Sequence, residues 1–303
     1  MYTRNGIGWW PLSWVVLALA LAAVAGCGSP APAPPAPSAA VPGAPGTESG
    51  LAVRFPEAGG ATLPKEELLA QWMELAKSAS RLKPNIDEGT AIARQLATYG
   101  ADALAPLYEV LADRASTPFA KALATMSLTN AVDTKEAPRL LAMVKPENDP
   151  TTRVCATSLL ATVPGPEVDA ALNELKTDKD RQVRFQALRA LAIRNAEGRQ
   201  ALVDLWKQPD TTPDERASIV TVLSAGPVSD SLEIFQNAVR DPAINQQARE
   251  LAVQLLGRVG NQSSIAALTE CAEKDPSEIV RNAAQTAIEA INTRITRSPL
   301  PSS

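Results

Sequence analysis

Between residues 85 and 292 the apolar positions fall into blocks that return at near-constant intervals, and the basic residues mark their register. Lys121, Arg153, Arg184, Arg216, Arg249 and Arg281 follow one another by 32, 31, 32, 33 and 32 positions. Three positions after each stands a small or aliphatic residue: Ala124, Ala156, Ala187, Ile219, Ala252 and Ala284. Seven positions after each stands a larger one: Leu128, Leu160, Leu191, Leu223, Leu256 and Ile288. Offsets of 0, 3 and 7 lie on one side of a 3.6-residue helix, so each block predicts a helix that buries a single face. Four positions before each basic residue come Thr117, Asp149, Asp180, Thr212, Asn245 and Ser277, whose side-chain oxygens can accept the orphan N–H groups of a helix start. Pro118, Pro150 and Pro213 follow three of these caps, where proline is best tolerated. Carried backwards, the register gives a degenerate copy with Asn85 as cap, Gly89 in the basic slot, and Ile92 and Leu96 on the apolar face.

Shorter amphipathic segments lie between these helices: Ala103–Asp113, Glu136–Val144, Glu167–Lys176, Gly198–Gln208, Asp230–Arg240 and Ser263–Lys274, with a longer one at Pro64–Arg81 opening the series. The unit is therefore helix, turn, helix. The strings Asp149-Pro150…Arg153…Ala156…Leu160, Asp180…Val183-Arg184…Ala187…Leu191 and Asp275-Pro276…Val280-Arg281…Ala284…Ile288 resemble HEAT-like repeats of the phycobilisome-lyase type. Ankyrin and tetratricopeptide patterns fit less well, since neither TPLH nor WxxLGxxY occurs. The resemblance covers roughly residues 85–292 and implies an all-α fold: a right-handed α-solenoid of about six to seven HEAT-like two-helix repeats over residues 62–295, with 296–303 as a disordered tail. In repeats of this type the column arginine ties neighbours together through a turn aspartate, so Asp149, Asp180, Asp210, Asp241 and Asp275 are the expected partners. The second helix lines the concave surface in this family. Positions one and five after the basic column then outline a groove, with Arg94, Met126, Phe185, Arg189 and Gln254 as candidate partner contacts. Phe185 beside Arg189 is the most anchor-like pair, because aromatics and arginine dominate interface hot spots. The competing reading of Phe185 is packing against a neighbouring repeat.

The amino-terminal residues follow a different pattern. A short stretch with one base, Arg4, precedes an apolar run from Trp9 to Ala25 that ends in Val24-Ala25-Gly26-Cys27. This resembles the lipobox of bacterial lipoproteins. The resemblance implies that residues 1–26 are a signal peptide and that Cys27 is lipidated and becomes the first residue of the mature chain. Residues 27–61 begin with a Pro/Ala/Gly/Ser-rich stretch, Gly28 to Gly50, whose composition suits a tether. Gly28 and Ser29 lack the aspartate that the family associates with inner-membrane retention, which points to an outer membrane facing a periplasm. Two or more acyl chains suffice for stable anchoring.

Composition narrows the chemistry. Hydrophobic residues make up 45% of the 303, yet aromatics only 4%, a balance that suits closely packed helices over sheets. Beyond residue 26 the chain carries 28 bases against 33 acids, net −5, with no basic block, so nucleic acid is a poor partner. Histidine is absent, which removes imidazole bases, His-dependent triads and His-containing metal sites. Cys27, Cys155 and Cys271 form no CxxC pair. Cys155 and Cys271 lie more than three repeats apart, so stacking at about 10 Å per helix pair puts them beyond disulfide reach. Trp72 and Trp206 sit at apolar helical positions and read as core.

The expectation is a non-enzymatic scaffold or adaptor that offers a concave surface to a protein or peptide at the cell envelope, held to the membrane by its lipid anchor. No cofactor and no small-molecule substrate are expected. Two alternatives are an envelope-structural protein that binds peptidoglycan or polysaccharide, and a lyase-like enzyme accessory.

Overall fold

The computed structural model describes residues 63–77, 82–129 and 131–297. The expected signal peptide (1–26), Cys27 and the expected tether lie outside these, and so does the expected tail (296–303) except for Thr296 and Arg297, which belong to the last described helix. Every regular element among the described residues is helical. The α-helices form seven consecutive pairs: α1 (Lys65–Lys77) with α2 (Leu82–Ala97), α3 (Ala105–Ala112) with α4 (Pro118–Leu128), α5 (Ala137–Met143) with α6 (Pro150–Leu160), α7 (Pro166–Leu175) with α8 (Arg181–Arg194), α9 (Ala196–Trp206) with α10 (Pro213–Ser224), α11 (Leu232–Ala238) with α12 (Gln246–Val259), and α13 (Gln262–Lys274) with α14 (Glu278–Arg297). Before α3, α5 and α11 the chain first makes a 3-10 turn, at Ala101–Leu104, Thr134–Glu136 and Val228–Ser231.

The helix starts follow from the side chains that precede them. Thr117, Asp149, Asp180, Thr212 and Asn245 each accept a backbone N–H one to two residues inside the helix they open. Thr212 does so in a capping box, with Glu215 returning a bond to the Thr212 backbone N–H. The expected cap Asn85 is a correction: α2 begins at Leu82, so Asn85 lies inside it. Its register is kept only by the buried face, where Ile92 and Leu96 are covered as expected.

The +3 column is fully buried in all six copies, from Ala124 to Ala284, which lets neighbouring helices approach closely. Leu128, Leu160, Leu191, Leu223 and Leu256 are buried too, each contributing on the order of 1.5–3 kcal/mol by its removal from water. Ile288, in the last described pair, is only half-buried, since among the described residues no further helix stacks on it. Trp72 and Trp206 are both buried, as the sequence predicts, and Trp72 donates its Nε1–H to Ser127 Oγ at 3.0 Å. Gly89 occupies the basic slot of the first pair for a packing reason: a Cβ there would lie 2.8 Å from Leu123 and 3.4 Å from the Trp72 ring nitrogen. Gly198 is tighter still, since a Cβ would fall 2.2 Å from the Leu191 carbonyl carbon where α9 meets the end of α8. Cys155 and Cys271 are free thiols on α6 and α13.

Consecutive second helices, α2 to α14, pack against one another along the whole array. Among first helices, α5 meets α7 and α11 meets α13, and the other neighbours stand further apart. The layer whose members lie closest is the inside of a curved stack, so the second helices form the inner face.

Candidate functional site

The basic column holds the repeats together. Lys121 on α4 reaches forward to Asp149 Oδ2 at 3.2 Å and Thr152 Oγ1 at 2.7 Å, both at the start of α6. Arg153 on α6 pairs with Asp178 in the turn before α8. Arg216 on α10 pairs with Asp241 at 3.1 Å while its guanidinium lies 5.6 Å from the centre of the Trp206 ring. Arg249 on α12 grips both oxygens of Asp275, at 2.7 and 3.0 Å, and also bonds the Ile244 carbonyl. Burial would raise the Asp149 carboxyl, but hydrogen bonds from Thr152 and Lys121 outweigh it and hold the group below its ordinary value.

Two steps of the ladder differ from the expected pairing. Asp180 caps α8, and Asp178, two residues earlier, takes Arg153. Arg184 turns back onto the Asp178 and Lys179 carbonyls of its own turn, at 2.7 and 3.0 Å, as Arg281 does onto Asp275 O at 2.7 Å. The forward link from α8 to α10 is made one turn earlier by Arg181, which binds Glu215 through Nε and Nη2 at 2.8 Å and Asp210 Oδ2 at 3.0 Å. Those Glu215 bonds, with Asp210 adding to them, push the Arg181 guanidinium above its ordinary value. Burial would raise Glu215, but Arg181 and the Thr212 backbone outweigh it and lower the carboxyl. At its other end α8 is tied backwards: Arg194 Nε donates to Asp169 at 2.6 Å and Nη1 to the Val163 carbonyl at 2.8 Å. Arg294 does the same for α14, donating to the Gly257, Arg258 and Gly260 carbonyls at the end of α12. Nothing in the 32-residue register singles out Arg181, Arg194 or Arg294. Their only sequence signal is a basic residue about one turn off the column or near a helix end.

Two before and two, five and nine after the basic column lie open positions on α6 and the turn after it (Thr151, Cys155, Ser158, Thr162) and on α12 (Gln247, Leu251, Gln254, Arg258). On α4, by contrast, they include buried Leu123 and Met126, and on α8 buried Gln186 and Arg189. Of the five candidate contacts, Arg94 and Gln254 are on the surface. Met126, Phe185 and Arg189 are buried, which corrects the expectation that these columns lie off the packed face. The neighbouring helices carry smaller residues at the same two positions (Val154 and Ser158 on α6, Ala217 and Thr221 on α10), leaving room for the larger chains to lie down. Phe185 joins the apolar cluster that contains Ala217, so it is packing, not a free anchor.

Arg189 is different in kind. Its Nη1 donates to Gln186 Oε1 at 2.9 Å, and Gln186 Nε2 donates to Ser158 Oγ at 2.6 Å on α6. The guanidinium carbon lies 5.6 Å from the centre of the Phe185 ring. No carboxylate of the described residues pairs with it, and its Nε has no acceptor. Burial without a counter-charge pulls the group down to about 9. No cluster of His, Cys, Asp or Glu suited to a metal ion exists among the described residues.

Comparison with known proteins gives the class first. Residues 200–289 match the HEAT repeats family. With the seven stacked pairs, the described chain is an all-helical solenoid carrying HEAT repeats. Among solved structures it is similar to human deoxyhypusine hydroxylase in complex with glycerol, at TM-score 0.34 and 17% identity, over 76% of this chain and 97% of that one. No curated protein matches.

Proposed function

We propose that this protein is a non-enzymatic scaffold that binds a protein or peptide along the inner face of its second helices, at the cell envelope. The observation that carries the reading is the unbroken row of second helices, α2 to α14, which presents one continuous surface to a long partner. HEAT repeats over residues 200–289 support it, since such solenoids work by offering extended surfaces. Arg94 and Gln254 mark two accessible points on that surface.

The address belongs to the same proposal. Val24-Ala25-Gly26-Cys27 and the Pro/Ala-rich stretch behind it support lipidation of Cys27, with the solenoid held at an outer membrane facing the periplasm. Metabolic labelling with an alkyne fatty acid should mark the wild-type chain and leave Cys27→Ser unmarked and released from membranes. Labelling of Cys27→Ser equal to wild type contradicts the anchor.

The scaffold is tested by photo-crosslinking in intact cells from probes at Arg94 and Gln254, followed by purification and mass spectrometry. One recurrent envelope protein, lost when the probe is moved to the exposed back of a first helix, is the expected result. Cell-wall fragments and no protein would contradict it and favour polysaccharide binding.

A further inference from the structure

Four cationic side chains are buried among the described residues: Lys121 at 3% exposure, Arg153 at 1%, Arg189 at 2% and Arg249 at 4%. Three of them face a carboxylate, Asp149, Asp178 and Asp275 respectively. Arg189 faces none. A buried charge is normally paired, and an unpaired one in a folded protein calls for a physical explanation. Of the five N–H donors of this guanidinium, only one, on Nη1, has an acceptor among the described residues.

The head is nonetheless fixed in place. Gln186 holds it on one side and is itself held by Ser158 across the α6–α8 junction, while the Phe185 ring lies against it. Helix α8 is clamped at both ends, forward by Arg181 and backward by Arg194. The residue lies beside buried Gln186 on the inner side of α8, flanked by exposed Gln182 and Ile193, the latter 53% exposed. The matching positions on α6 and the turn after it (Thr151, Cys155, Ser158, Thr162) and on α10 and its C-cap (Asp214, Ser218, Thr221, Ala225) hold no base and a single, exposed acid, Asp214. Nε is covered and the whole residue is only 2% exposed, so a carboxylate arriving at the middle of the inner face meets this one cation through the unpaired Nη2.

We propose that Arg189 is the receptor for an acidic side chain of the partner protein, an Asp or Glu seated on the inner face with an apolar neighbour resting on Ile193. The pairing would complete from outside what Asp178 and Asp275 supply to Arg153 and Arg249 from within. A hydrogen bond from a guanidinium to a carboxylate is charge-assisted and stronger than one to a neutral amide oxygen. This deepens the scaffold reading and rests on it.

The test uses the purified full-length chain in detergent and a panel of blocked peptides with one Glu beside one Leu in a Ser/Ala background, together with the same panel carrying Gln. Expected are Glu peptides bound about tenfold or more tightly than their Gln counterparts, a preference abolished in Arg189→Gln and partly kept in Arg189→Lys. Helical circular dichroism should be unchanged in both variants. Equal binding of Glu and Gln peptides, or a Glu preference that survives Arg189→Gln, overturns the carboxylate receptor while leaving the scaffold reading standing. Binding of no peptide by the wild-type chain counts against both. Displacement of a bound Glu peptide by millimolar acetate as effective as by a second Glu peptide would assign the site to small carboxylates and overturn a protein partner.

Discussion

Arg249 and Arg189 are the same residue type on the same layer of helices, about equally buried, and their surroundings are opposite. At the turn edge of the stack, Arg249 is closed by both oxygens of Asp275. On the inner face, Arg189 has one amide oxygen and an aromatic ring. The difference separates two uses of a buried cation. Where two repeats meet, the charge is answered by the next repeat and fixes its position. Where the stack faces outward, the charge is left for something that is not part of the stack.

The largest expected effect converts one case into the other. Asp275→Ala leaves Arg249 buried without its counter-ion and removes a bond to the Ser277 N–H. The loss should be about 3–5 kcal/mol of unfolding free energy, read from urea or guanidinium titration. Next comes the link that the register alone does not reveal. Arg181→Ala strips a mostly buried Glu215 of its partner, yet Arg181 is itself more than a third exposed, so about 1–2 kcal/mol is expected. Arg184→Ala removes only bonds to carbonyls of its own turn and should cost less, about 0.5–1 kcal/mol. Reversal of that order would show Arg184 to be the true tie between α8 and α10.

The pH dependence is a smaller effect. Asp149 and Glu215 have folded-state pKa values lowered from the ordinary range. Their stabilisation is therefore complete above that range and lost as pH falls through the lowered values. The urea midpoint should hold from neutral pH to about 5 and fall below about 4. Glu215→Gln should make that fall shallower, and an unaltered slope would remove Glu215 from the ladder.

Much of this comparison was legible in the sequence. The 32-residue register, the caps and the buried +3 and +7 columns follow from helical period and side-chain chemistry, which are local. The ladder was legible as a kind of contact but not in its partners. Asp178 and Asp180 both stand near α8, and only the backbone turn decides which caps the helix and which meets Arg153. Likewise, a column position states which side of a helix a residue occupies but not how deeply it is covered. Depth depends on the size of residues on the adjacent helices, so Met126, Phe185 and Arg189 are buried while Arg94 and Gln254 are not. Asn85 fails as a cap for a related reason: α2 starts before it, with α1 and Trp72 packed where other repeats carry a basic side chain.

The most direct test applies one substitution to both regions. Arg249→Met and Arg189→Met each replace a buried guanidinium with a flexible apolar chain, and both are compared with wild type by denaturant unfolding. The account predicts that Arg249→Met loses about 3 kcal/mol or more, because Asp275 is left buried without its counter-ion. Arg189→Met should be at least as stable as wild type, because it abandons only the neutral Gln186 amide and no carboxylate. Equal losses in the two variants would contradict it, and would make Arg189 one more tie inside the solenoid.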